Sequence, residues 1–153
     1  MKGLILFFFV LIISTADSQD SSLALHDTVV FSHMDFDTFR IQARFENKPY
    51  FILFSASWCA PCQRLKKEIF TNQQIAALAN QHWLAYYMDL ENFDDVEINS
   101  KLFKVEQLPT ILFFDPLGKQ TDKAVGFFDG YYFFRKLRIH IPPYQWGPDW
   151  IEE

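Results

Sequence analysis

Ser57-Trp58-Cys59-Ala60-Pro61-Cys62 contains the only two cysteines of a 153-residue chain. An apolar run, Tyr50-Phe51-Ile52-Leu53-Phe54, precedes it, and a helix-like segment from Gln63 to Phe70 follows. A C-x-x-C at a strand-to-helix turn is the signature of a thiol–disulfide redox site. The competing readings are weaker. A structural staple across so short a loop would constrain the unfolded chain little. Two cysteines cannot fill a four-ligand zinc site. None of His26, His33, His82 and His140 stands at ligand spacing to the pair. No metal and no cofactor is expected.

The two sulfurs should play unequal parts. The thiolate is the nucleophile in disulfide exchange. Cys59 falls at the N-terminus of the following helix, where free N–H groups and the positive end of the dipole favour a negative sulfur. Cys62, Leu65 and Ile69 recur at i, i+3 and i+7 and so share the inward face. Cys59 is then the exposed nucleophile and Cys62 the protected resolving cysteine. Pro61 suits an early helical position. Trp58 is expected to be exposed, and Lys66 and Lys67 to form a solvated face.

The flanking chain alternates. A helix is predicted from Asp35 to about Glu46, ended by Asn47-Lys48-Pro49. Tyr50 to Ser55 lacks alternation and reads as a central strand buried on both faces. Helices follow from Ala60 to Phe70 and from Gln73 to about Gln81, then a strand from Trp83 to Leu90. A helix from about Asp94 to Lys104 should turn Ile98 and Leu102 inward. Thr110 to Asp115 is a strand, Asp115-Pro116-Leu117-Gly118 fits a type I turn, and Lys123 to Phe127 returns. A last helix runs from about Gly130 to His140. This order predicts an α/β fold: a mixed central β-sheet flanked by helices on both faces.

Residues 19–34 read as a leader, 35–141 as the domain, and 142–153 as an aromatic tail bearing Tyr144, Trp146 and Trp150. Half the residues are hydrophobic and 18 are Phe, enough for a sizeable core. Charged residues at 22% argue against disorder. A net charge of −5 argues against electrostatic nucleic-acid binding. Residues 1–18 read as a secretory signal peptide: Lys2, an apolar run from Leu4 to Ile13, then the small residues Ser14, Ala16 and Ser18. That run is about half the ~20 residues a spanning helix needs. A periplasmic or secreted protein, soluble after cleavage and monomeric, is expected.

Trp58-Cys59-Ala60-Pro61-Cys62 resembles the active-site motif of the thioredoxin-like family. Leu108-Pro109-Thr110 resembles its cis-proline segment, and Val125-Gly126-Phe127 the glycine-containing strand beside it. The resemblance covers roughly residues 35 to 140 and extends to exported members such as the C-terminal periplasmic domain of the thiol:disulfide interchange protein DsbD. It implies the thioredoxin fold, a redox-active Cys59–Cys62 disulfide and a cis bond before Pro109. It also implies that Trp58, Ala60, Pro61, Leu108, Pro109 and Gly126 bind the client. The Leu108 backbone would then pair with an extended client segment.

The implied activity is reduction of protein disulfides, with protein thiol or disulfide clients and a membrane electron donor as partners. Two positions depart from the pattern. Leu53 stands where the family usually carries a buried Asp, and Lys66 where the DsbD domain carries a Glu. The proton acceptor for Cys62 is therefore open, with Glu68 and Asp89 as candidates. A partner-binding module with a redox-switch disulfide is the alternative from another class; an oxidase or an isomerase is a further one.

Overall fold

The computed structural model describes residues 27–141. Residues 1–18, read above as a signal peptide, and residues 142–153, read as an aromatic tail, lie outside them. Five strands form one sheet: β1 (Phe31–Ser32), β2 (Tyr50–Ser55), β3 (Leu84–Asp89), β4 (Thr110–Phe114) and β5 (Gln120–Val125). Their order is β1-β3-β2-β4-β5. The first three are mutually parallel, and β4 and β5 are antiparallel. The helices are α1 (Phe36–Glu46), α2 (Ala60–Glu68), α3 (Gln73–His82), α4 (Phe93–Ile98) and α5 (Gly130–Ile139). This is the mixed sheet that the alternation predicts.

β2 explains why the core has two halves. All six of its residues are buried, and successive side chains point to opposite faces. Phe51 and Leu53 join Leu65 and Ile69 from the α2 side, Ile75 and Leu78 from α3, and Phe133 and Leu137 from α5. Tyr50, Ile52 and Phe54 join Phe36, Phe39 and Ala43 of α1. The helix ends are local chemistry. Asp35 caps α1 by accepting the Thr38 N–H at 2.9 Å. Asn47 ends α1 in the left-handed region at φ 51°, its N–H turned back to the carbonyls of Ala43 and Arg44.

Three expectations need correction. The leader does not extend to residue 34: Val29 is buried in the core, and Phe31 of β1 packs edge-on against Phe51, Phe70 and Tyr87. The helix predicted from Asp94 to Lys104 is α4 followed by a π-helical turn, Asn99–Phe103. The wider turn rotates the face by about one residue. Leu102 is consequently 58% exposed, and Phe103 turns inward against Phe36, Phe54 and Phe114. β5 begins at Gln120 rather than Lys123, because the Asp115 turn closes tightly. Gly118 N–H reaches the Asp115 carbonyl at 3.0 Å, and the Asp115 carboxylate accepts from Leu117 and Lys119 N–H, both at 2.9 Å.

Candidate redox site

β2 ends at Ser55, and α2 begins five residues later with Cys59 as its N-cap. Cys59 and Cys62 form a disulfide, with S–S 2.03 Å and Cα–Cα 5.2 Å. The Cys59 sulfur also accepts the Cys62 backbone N–H at 3.3 Å. The Cys59 carbonyl takes the N–H groups of Cys62 and Gln63, at 3.0 and 3.1 Å. The sulfur therefore sits where a helix presents its unpaired donors and the positive end of its dipole. The first turn of α2 carries no acid to oppose that. In the reduced protein the same arrangement favours a Cys59 thiolate.

Cys62 is fully buried, on the face of Leu65 and Ile69, as the spacing predicts. Cys59 is less exposed than expected. Only 4% of its surface is open, because Ala56 and Leu108 pack around the disulfide. Its opening is a cleft of about 580 Å³. Trp58, Cys59, Ala60 and Pro61 form one wall. Leu90, Val96, Asn99, Glu106 and Leu108 form the other. Trp58 is 71% exposed, as expected.

The segments far along the chain arrive where the family resemblance puts them. The Leu108–Pro109 bond is cis, and Leu108 packs against the disulfide. The Pro109 carbonyl accepts the Gly126 N–H at 2.8 Å, and Gly126 holds a positive φ of 81°. Of the eight residues expected at the site, Trp58, Cys59, Ala60, Pro61 and Leu108 line the cleft; Cys62 is buried in the disulfide, Pro109 follows Leu108, and Gly126 bonds to Pro109.

The position of the missing acid is filled by hydrocarbon. Leu53 is fully buried between Tyr87 of β3 and Ile111 of β4. Lys66 is not simply solvated: it lies over the Tyr87 ring, and its Nζ donates to the Tyr87 hydroxyl at 2.7 Å. Both candidate acids have partners of their own. Glu68 pairs with Arg64 at 2.8 Å on the outer face of α2. Asp89 accepts the Glu91 N–H at 3.1 Å. Ser55, two residues beyond Leu53 on the same face of β2, has a buried hydroxyl with no partner among the described residues.

Two positioning residues escaped the sequence reading. The Glu91 carboxylate accepts the Ser57 N–H at 2.5 Å and its hydroxyl at 3.0 Å. Those bonds, the backbone one foremost, hold the Glu91 carboxyl below its usual pKa. Asn99, buried in the π-helical turn, donates to the Val105 carbonyl and accepts the Val105 N–H, both at 3.0 Å. Each wall of the cleft is therefore latched by a side chain from the segment that follows β3. The signal for Glu91 lies in the strand register. β2 pairs with β3 as Tyr50↔Leu84 through Ser55↔Asp89, and the same offset carried two residues further sets Ser57 against Glu91.

Comparison with known proteins agrees with this geometry. A thioredoxin-like domain model matches residues 36–140. The thiol:disulfide interchange protein DsbD of Escherichia coli K12 is 31% identical over 142 residues, which is 86% of this chain and 25% of that protein. DsbD of Salmonella paratyphi A is 33% identical over 103 residues, 65% of this chain and 18% of that protein. The chain thus spans a quarter or less of the curated relatives it matches.

Among solved structures, DsbH oxidoreductase superposes with a TM-score of 0.62 at 19% identity, covering 82% of this chain and 93% of its own. A thioredoxin from Thermus thermophilus superposes with a TM-score of 0.64 at 14% identity, covering 74% and 87%. These two likenesses concern the fold. With the domain model covering the sheet, its helices and the C-x-x-C turn, the chain belongs to the thioredoxin-like family.

Proposed function

We propose that this chain is an exported thiol–disulfide oxidoreductase that reduces protein disulfides. The observation that carries the reading is the Cys59–Cys62 disulfide at the N-terminus of α2, open to a cleft beside the cis Leu108–Pro109 bond. The Cys59 thiolate attacks one sulfur of a client disulfide. A mixed disulfide forms, and the second client sulfur leaves as a thiolate that takes up a proton. Cys62 then loses its proton and attacks the Cys59 sulfur. The first client sulfur leaves, and Cys59–Cys62 forms. Two electrons have passed to the client, and a dithiol donor must return them.

Export is supported by the apolar run from Leu4 to Ile13 behind Lys2. A membrane protein is the proposed donor, because reducing electrons must reach an exported chain from across the membrane. The chain is proposed to act as a monomer. Pro61 between the cysteines favours the reducing direction by resemblance.

The test is trapping. Reduced Cys62→Ala protein should accumulate mixed disulfides through Cys59 with a disulfide-bonded protein such as insulin, and Cys59→Ala protein should not. Absence of any Cys59 adduct would overturn the exchange mechanism. A reduction potential near about −270 mV fits a reductase, and one near about −120 mV would make it an oxidase. Leu53 in place of the acid, together with exposed Trp58, favours one other reading: a partner-binding module with a redox switch. Such a module would keep its affinity with both cysteines replaced.

A further inference from the structure

We infer that the cleft beside Cys59 contains a cation-reading subsite, with Glu106 as the specificity residue. It would favour client segments that carry Lys or Arg beside the reactive cysteine. The inference rests on the exchange reading above and names the clients it prefers. Leu90 and Val96 supply an apolar stretch of the cleft wall, and Glu106 is the one carboxylate that lines it. No cation lines it: Lys104, two residues before Glu106, is exposed but not among the lining groups.

Glu106 also makes no ion pair or hydrogen bond among the described residues. Of the four other acids between Leu90 and Glu106, three are engaged and the fourth, Asp94, does not line the cleft. Glu91 is held by Ser57, Asp95 takes the Asp89 N–H at 2.7 Å, and Glu97 pairs with Lys101. A lone carboxylate at the end of an apolar wall suits a side chain with an aliphatic stem and a cationic head, whose stem packs while the head stays at the rim.

The loop is prepared for that task. Asn99 fixes both backbone groups of Val105, the residue next to Glu106. Lys104 before it holds a left-handed φ of 53° and donates its N–H to the Asn99 carbonyl at 2.7 Å. A carboxylate on a fixed backbone loses less freedom when it is engaged, so more of the pairing energy appears as selectivity.

The experiment uses two synthetic disulfide peptides that differ only in a Lys or a Glu next to the reactive cysteine. The reduced full-length protein should reduce the Lys peptide about fivefold faster in kcat/KM, the effect of a rim charge pair of roughly 1 kcal/mol. The preference should shrink at ~1 M salt, where the screening length is about 3 Å. Glu106→Gln should abolish it, and Glu106→Lys should reverse it. Glu106 is exposed, so both variants should fold. An unchanged preference in Glu106→Gln, or equal rates for both peptides in the unaltered protein, would overturn the subsite. If neither peptide is reduced, the exchange reading falls instead. Binding then decides the subsite: protein with Cys59→Ser and Cys62→Ser should still hold the Lys peptide more tightly than the Glu peptide, and equal affinities would overturn it.

Discussion

Replacing Asn99 by Ala should loosen one wall of the cleft while leaving the disulfide turn in place. Asn99 is buried, and both of its side-chain bonds go to Val105, itself buried. Alanine leaves the Val105 N–H and carbonyl without partners. Each buried orphan costs about 1–3 kcal/mol, so the pair should cost about 2–4 kcal/mol once water reaches part of the gap. At about 4 °C per kcal/mol for a domain of this size, Tm should fall by roughly 8–16 °C. Denaturant titration gives the free energy directly, and peptide-disulfide reduction gives kcat/KM in parallel. Because Glu106 and Leu108, on the loop that Val105 begins, line the cleft, KM should rise as stability falls. Asn99→Asp separates the two bonds. Its carboxylate can accept from the Val105 N–H but cannot donate to the Val105 carbonyl. That variant should recover stability relative to the unaltered protein as pH falls through the carboxylate range, because the protonated acid regains a donor. A loss below about 0.5 kcal/mol in Asn99→Ala would refute the reasoning, since it is what a change at an unengaged surface site produces.

Three further outcomes are expected. Gly126→Ala should cost about 1–2 kcal/mol by denaturation, all of it backbone strain, because φ is 81° and an added Cβ meets nothing within 4 Å. Ser55→Ala should be neutral or stabilising by up to about 1 kcal/mol, because it removes a buried hydroxyl that has no partner among the described residues; a clear loss in melting experiments would mean that the hydroxyl is engaged. Burial holds the imidazoles of His82 and His140 below the usual pKa of 6.5, with Lys48 adding to the effect at His82. The unfolded chain therefore takes up protons first, so stability should be level above about pH 6.5 and decline as pH falls through the lowered values. His140→Phe, which keeps a ring against Trp83, should flatten part of that decline in Tm against pH.

The parts of the fold that were legible are those in which local pattern and tertiary role agree. β2 reads as a central strand because six consecutive residues need burial on two faces, and both faces are covered. The inward row Cys62, Leu65, Ile69 reads directly from helical spacing. β1 was not legible, because two residues cannot display a period, and it forms only through pairing with β3. The π-helical turn was not legible either: one extra residue in a turn exchanges Leu102 for Phe103 at the core, and both are apolar. The cis bond before Pro109 came from family resemblance, not from any local preference that the residues express.

The site follows the same division. Its chemistry was legible because a nucleophile and a resolving thiol need specific atoms, and the chain has only two sulfurs of that kind. The support of the site was not legible, because Glu91 and Asn99 act through backbone groups of Ser57 and Val105 and need no matching side chain opposite them. Both come from the segment that leaves β3, so the two walls of the cleft share one anchor. A change in how that segment packs would shift the Cys59 loop and the Leu108 loop together. The fit of a client between them therefore depends on residues that touch neither sulfur, which is why substitutions there should act on KM before they act on the exchange step.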